Sequence, residues 1–242
     1  MYGWRARIGH IYPAVVAETF MSDFFRMVPE GVTLAMSFLS IEILKKEDLE
    51  RSLGQMDKAA DFLKQRNVDI ITIGGAPMVR HLGPGADQQL IERIQKQTGI
   101  PTTTSQTAAL DAFRELGLKR IVVASPYHDD QNERVKAFLE GSGYTVAGIR
   151  GLKKNVAEIH DIPLATAYRH IRETFLAHPG DGIYVPCAHF TAPHIDILEE
   201  ELGVPVVSST IATVWQALKI LNVRALIQGE GRLLRSLAPS PA

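Results

Sequence analysis

Only one cysteine, Cys187, stands in the 242 residues, so no internal disulfide can form and a reducing cytoplasm is the expected setting. Charge of one sign is also missing. Lys plus Arg number 26 and Asp plus Glu 27, with no basic run to track a phosphate backbone, which argues against a nucleic-acid partner. No apolar stretch is long enough to span a bilayer, and Met1 to Arg7 lacks the apolar segment of a secretory signal, so no membrane partner is expected. Metal-ligand spacing is absent too. His189 and His194 are five residues apart, a poor helical pair, and no His-rich cluster accompanies the single cysteine, so no metal site is expected. The remaining partner class is a small molecule, with homo-oligomerisation left open. The tail from Leu237 to Ala242 reads as a frayed end.

What is present is a regular alternation of strand and helix patterns. Strand-like runs cover Ile8 to Tyr12, Val32 to Phe38, Asp69 to Ile73, Arg120 to Ala124, Tyr144 to Ile149, Gly182 to Val185 and Val204 to Val207. Helical spacing covers Val15 to Met27, Lys46 to Arg66, Asp87 to Thr98, Ser105 to Leu116, Asp130 to Leu139, Ile162 to Ala177, Ala192 to Leu202 and Thr210 to Leu221. The run Asp69 to Ile73 is apolar on both faces, as a central parallel strand requires. Such alternation predicts an α/β protein with parallel sheets and right-handed crossovers.

The chain also resembles itself. Val68-Asp69-Ile70-Ile71-Thr72-Ile73-Gly74-Gly75-Ala76-Pro77 parallels Gly180-Asp181-Gly182-Ile183-Tyr184-Val185-Pro186-Cys187-Ala188-His189, so that Gly75 matches Cys187. Arg7 to Pro13 parallels Arg120 to Pro126, and Gly99-Ile100-Pro101 with Thr104-Ser105 parallels Gly203-Val204-Pro205 with Ser208-Ser209. The landmarks keep their order, which predicts two pseudo-symmetric Rossmann-like parallel-sheet halves with the active site in the cleft between them. The first half is assigned to 1–110 and 211–242, and the second to 111–210. Ligands in such sheets bind beyond the carboxyl ends of the strands, where several loops lead into helix starts that favour an anion. A small carboxylate fits that setting, with a thiol on one wall and bare backbone on the other.

These residues resemble the aspartate/glutamate racemase superfamily. Cys187-Ala188-His189-Phe190 is similar to the Cys-Thr-His-Phe of glutamate racemases. Tyr127-His128-Asp129-Asp130-Gln131-Asn132-Glu133-Arg134 is similar to the Tyr-x-Asp-Asp-x-Asn-Glu-Arg stretch of the arylmalonate decarboxylase and maleate cis-trans isomerase branch. The resemblance implies a mechanism without cofactor or metal. Racemases and maleate isomerases use one cysteine per half, whereas the decarboxylases have glycine at the first place, the arrangement of Gly75 and Cys187. In the decarboxylases a carboxyl group leaves as carbon dioxide and the thiol protonates one face of an enediolate. Three departures stand out. The Thr-Ser that follows the decarboxylase glycine is Ala76-Pro77, the glycine after the second cysteine is Ala188, and the place of an early tyrosine falls near Leu49.

Several residues carry two readings. Cys187 is either an inert core thiol or the proton donor. His189 is a satisfied loop histidine or, as the resemblance implies, an aid to proton transfer or a carboxylate ligand. Tyr127 caps a strand or donates to an enediolate oxygen. Gly74 and Gly75 form a tight turn, let an anion approach the backbone, or both. Thr104 and Ser105 are N-cap residues or hydroxyl donors to a carboxylate. Ala188 borders the thiol, and His10 is a further pocket candidate where racemases carry an acidic partner. Asp130 with Glu133 reads as a capping box rather than chemistry.

The candidate catalytic set is thus Cys187, Tyr127 and His189, and the candidate binding set is Gly74, Gly75, Ala76, Thr104, Ser105, Ala188 and His10. The expected activity is cofactor-independent decarboxylation of a small malonate-like dicarboxylic acid. The alternatives are a cis-trans isomerase or racemase of a small carboxylic acid, and a non-enzymatic acid binder.

Overall fold

The computed structural model describes residues 2–14, 17–39, 46–83, 85–190 and 192–239, with side chains at all of these but 46–53, 81 and 156. The first repeat, in chain order, runs β1 (Ala6–Tyr12), α1 (Thr19–Met27), β2 (Val32–Phe38), α2 (Lys46–Gln65), β3 (Ile70–Ile73), α3 (Ala76–His81), α4 (Ala86–Thr98), β4 (Thr102–Thr104) and α5 (Ser105–Glu115). The second repeat, in chain order, runs β5 (Arg120–Ser125), α6 (Asp129–Gly141), β6 (Thr145–Gly151), α7 (Val156–Ile159), α8 (Leu164–Ala177), β7 (Gly182–Val185), α9 (Asp196–Leu202), β8 (Val206–Ser208), α10 (Ser209–Ile220) and α11 (Gly231–Arg235).

Two four-stranded sheets result, ordered β2-β1-β3-β4 and β6-β5-β7-β8, and every strand pair is parallel. The identical order is what the internal repeat predicts. All four residues of β3 and all four of β7 are buried, as middle strands covered by helices on both faces must be. The two halves also repeat small polar devices. Asp69 Oδ2 accepts the Arg7 backbone N–H at 2.7 Å, and its counterpart Asp181 Oδ2 accepts those of Lys119 at 3.1 Å and Arg120 at 2.8 Å. Thr104 Oγ1 caps α5 by accepting Thr107 N–H, and Ser208 Oγ caps α10 by accepting Ile211 N–H, both at 3.1 Å.

The halves are joined through α5 and α10, which pack on each other. Gln216 of α10 bonds Thr103 and Asp111 of the first sheet's last strand and its following helix. Phe113 of α5 meets Tyr184 of β7 edge-on with ring centroids 5.1 Å apart, so the helix that ends the first repeat packs on the second sheet. Among the described residues, no helix is long and apolar enough to cross a membrane.

Several expectations need correction. The tail is not frayed at Leu237, which is buried and whose carbonyl accepts Ala225 N–H at 3.1 Å; residues 240–242 lie outside the described residues. Helix α6 starts after His128, so Asp130 lies inside its first turn rather than at the cap, and no Asp130–Glu133 box forms. The two aspartates there act on the helix dipole instead. A capping box does form at Asn155–Glu158. Helix α1 is shorter than the apolar pattern, beginning at Thr19, and Val15 and Val16 lie outside the described residues.

The C-terminal segment is clasped by a buried carboxylate. Glu199 accepts Val206 N–H at 2.9 Å and Arg232 N–H at 2.8 Å, and faces the guanidinium groups of Arg232 and Arg235. Burial raises its pKa, opposed by those four partners. Glu199→Ala strands two backbone donors and should cost about 3 kcal/mol, read as a lower urea midpoint at unchanged slope.

Candidate active site

The loops after β3 and β7 hold equivalent places. Gly75 lies two residues beyond β3 and Cys187 two beyond β7, and both line one cavity of about 400 Å³ at the carboxyl ends of the two sheets. Gly75 has φ of +79° and is the N-cap of α3; a Cβ there would meet Pro13 Cγ at 2.6 Å. Both the backbone angle and the space therefore require glycine. Gly74 makes room of another kind, because a Cβ on it would lie 2.9 Å from His10 Nε2.

Cys187 is only 5% exposed, yet its remaining surface belongs to the cavity wall. Burial pushes the thiol pKa up. Hydrogen bonds from His189 N–H and Phe190 N–H, the adjacent Tyr127 hydroxyl and the charge of Arg80 pull it the other way. The group is therefore a neutral thiol at pH 7. Tyr127 O–H donates to Pro186 O at 2.7 Å, which fixes the ring beside the sulfur. Its pKa is driven far above the ordinary phenol range by burial and then by Cys187.

On the opposite side, His10 and Tyr12 are residues of β1 itself and not of the loop after it. Thr72 Oγ1 donates to Gly9 O at 3.0 Å and must then accept from His10 Nδ1, 2.6 Å away. That fixes the proton on Nδ1 and leaves Nε2 a bare acceptor, without a partner among the described residues. The ring stacks on Phe20 with centroids 4.0 Å apart. Burial lowers the His10 pKa to about 3, so the imidazole is neutral. Tyr12 Oη lies 2.7 Å from His189 Nδ1 and 2.9 Å from Nε2. The His189 pKa is lowered to about 4 by burial and by His160, whose ring centroid is 4.2 Å away.

Of the residues singled out from sequence, Cys187, Tyr127, His189, Gly74, Gly75, Ala76, Ser105, Ala188 and His10 line this cavity. Thr104 does not. Its side chain is fully buried and its oxygen caps α5, so it is a helix cap and not a wall residue. Ser105, the next residue, presents a hydroxyl without a partner among the described residues. Leu49 lies in α2, but its side chain is outside the described residues.

Tyr12, Ser209, Thr210, Thr213 and Lys154 also line the cavity and stand outside the candidate set drawn from sequence. The repeat carried a signal for Ser209, the counterpart of Ser105. Nothing local marks Lys154, which the β6–α7 connection delivers and whose Nζ pairs with Glu158 at 3.1 Å. The N-termini of α5 and α10 both reach the cavity through Ser105, Ser209 and Thr210, and their unsatisfied N–H groups favour an anion.

His10 also sets a pH dependence. Its folded pKa is depressed from 6.5 to about 3, so the unfolded chain binds the extra proton in that window. Stability from this group is complete above pH 6.5 and is lost as pH falls toward 3, by up to about 4 kcal/mol. Urea unfolding across this range should show a shallower loss in His10→Gln than in the wild type.

A family model described as arylmalonate decarboxylase matches residues 8–234. The chain is 31% identical to the arylmalonate decarboxylase of Bordetella bronchiseptica over 230 residues, covering 93% of this chain and 95% of that protein. It is 27% identical over 242 residues to a maleate isomerase of Pseudomonas putida, covering 94% and 96%. A crystal structure of arylmalonate decarboxylase superposes with a TM-score of 0.85 at 29% identity, covering 95% of this chain and 99% of that one. These relatives are enzymes, which sets aside the reading as a non-catalytic acid binder. The chain belongs to the arylmalonate decarboxylase family, in the branch of the aspartate/glutamate racemase superfamily that also holds the maleate isomerases, and is a lyase or an isomerase.

Proposed function

We propose that the protein decarboxylates a small malonate-like acid without a cofactor, with Cys187 as the sole proton donor to carbon. The carrying observation is one cavity lined by both the Cys187 thiol and Gly75, the place equivalent to the thiol, where φ is +79° and a Cβ would meet Pro13 at 2.6 Å. Loss of one carboxyl group as carbon dioxide leaves its bonding pair on the α-carbon, delocalised into the remaining carboxylate as an enediolate. The thiol then gives its proton to that carbon and becomes a thiolate. Its N–H neighbours at His189 and Phe190 stabilise that thiolate.

The enediolate oxygens need donors, and Ala76-Pro77 provides neither a hydroxyl nor, at Pro77, an N–H. The free hydroxyl of Ser105 and the first N–H groups of α5 and α10 are the donors that reach the cavity. Its walls are otherwise largely apolar, with Phe20, Met78 and Ile159 among them, which suits a departing carboxylate that must lose its hydration. We assign the two sides of this cleft to the halves 1–110 with 211–242, and 111–210.

Isomerisation by covalent addition is less well supported. It needs sulfur as a thiolate nucleophile, and burial holds this one in the acid form. Carbon dioxide release from a panel of 2-substituted malonates tests the reading. Cys187→Ser should lose at least about a hundredfold in rate while still binding the acid. The wild-type rate should stay level through neutrality and fall only at alkaline pH, because the raised thiol pKa preserves the acid form. Equal rates in wild type and Cys187→Ser would remove the thiol from the chemistry.

A further inference from the structure

The groups that receive an acid in this cavity are donors: the Ser105 hydroxyl, the first N–H groups of α5 and α10, and the Cys187 thiol. His10 is of the opposite kind. It is only 1% exposed, and it lines the same cavity. Its Nδ1 proton is committed to Thr72 Oγ1 at 2.6 Å, because that hydroxyl gives its own proton to Gly9 O at 3.0 Å. Nε2 keeps a lone pair and has no partner among the described residues. A buried acceptor without a donor carries a desolvation cost, which a ligand that brings a donor removes. The stack on Phe20 holds the ring in this pose. Gly74, which also lines the cavity, leaves the space beside Nε2 open. A Cβ at Gly74 would stand 2.9 Å from that nitrogen, which is a hydrogen-bond distance.

We propose that His10 Nε2 selects the substrate by accepting a hydrogen bond from a neutral donor, a hydroxyl or an amide N–H, on the 2-substituent of the malonate-like acid. The inference rests on the decarboxylase reading and names its substrate class. A carboxylate oxygen is repelled at this spot, lone pair against lone pair. An ammonium group is disfavoured for another reason. The imidazole is neutral, with its pKa lowered to about 3 by burial. Asp130, the carboxylate among the lining residues, is exposed. A buried cation beside His10 would therefore lack a counter-charge. A neutral O–H or N–H meets neither objection. Gly74 adjoins Gly75, the place equivalent to the thiol, so the donor belongs close to the α-carbon. No proton is transferred in this contact. The depressed basicity makes Nε2 an acceptor only, and His10 acts on specificity and not on the bond that breaks.

The acids 2-(hydroxymethyl)malonate and 2-ethylmalonate differ by a hydroxyl against a methyl. Carbon dioxide release in the wild type should give a kcat/KM at least about tenfold higher for the hydroxyl acid, because the other acid leaves a buried acceptor unpaired. In His10→Met that preference should fall by at least about tenfold. Gly74→Ala puts a methyl in the space beside Nε2 and should erase the preference too, which keeps a variant in hand where the other does not fold. A wild type without the preference overturns the proposal. So does a preference that persists in both variants. Equal slowing of the two acids leaves the preference intact, and it marks His10 as structural.

If the wild type releases no carbon dioxide from any malonate, the decarboxylase reading fails, and the acceptor is then tested by binding alone. Titration calorimetry compares 2-hydroxypropanoate with 2-methylpropanoate, which carry the hydroxyl and the methyl beside a single carboxylate. Tighter binding of the hydroxyl acid, lost in His10→Met, supports the proposal. Equal affinity, or no binding of either acid, overturns it. The ring itself gives an independent reading. Nitrogen–proton NMR correlation of His10 should show the proton on Nδ1 and a bare Nε2, and a proton on Nε2 would reverse its polarity and remove the acceptor.

Discussion

In the proposed reaction the thiol arrives with its proton and leaves as an anion, two opposed demands. Burial meets the first by penalising the charged form. Hydrogen bonds aimed at sulfur meet the second by making the anion tolerable once it forms. The segment from Pro186 to Phe190 serves both. It turns sharply enough to bring the His189 and Phe190 N–H groups onto the Cys187 sulfur, and Tyr127 fastens to the Pro186 carbonyl beside that atom. Arg80 adds a buried positive charge nearby, its guanidinium bonded to Gln106 at 3.3 Å. The surrounding fold keeps this turn in place at the end of a fully buried strand.

The two-sheet plan could be read from the sequence because it is written twice. Strand order, parallel pairing and the Asp69 and Asp181 clamps on neighbouring strands follow a duplicated pattern, and the short apolar runs needed no further context. Element ends were less legible. Helix α3 is absent from the helical runs of the sequence because Gly74 and Gly75 look like a turn, although glycine at the N-cap and proline in the first turn also start helices. Asp130 and Glu133 match a capping box that the backbone of His128 pre-empts two residues earlier. At Leu237, polar and proline-rich neighbours concealed a side chain that packs into the core.

The cavity was legible where the two repeats differ and opaque where distant segments meet. Gly75 against Cys187 is a local asymmetry, and it drew attention to both loops. The proximity of Tyr12 and His189 is a fact of topology, joining residues 177 positions apart. Neither residue's neighbours in sequence mark the pairing. Thr104 and Ser105 show the finer limit. Adjacent hydroxyl residues at a helix start look interchangeable in sequence. In the fold one turns inward to cap the helix, and the next is left facing the cleft.

The two walls differ in chemistry as well as in side chains. Opposite the thiol, the left-handed backbone at Gly75 and the proximity of Pro13 make any side chain at the equivalent place strained. His10, a titratable group of the first sheet that lines the cavity, has its proton committed to Thr72 and a pKa so depressed that it accepts hydrogen bonds but is a weak base. An α-proton lost to that side would need a base of ordinary strength. A reaction that starts by releasing carbon dioxide needs none, because the bonding electrons arrive on carbon without any deprotonation. The one-sided distribution of acid groups therefore favours a bond cleavage that generates the carbanion by itself and a single donor that ends its life.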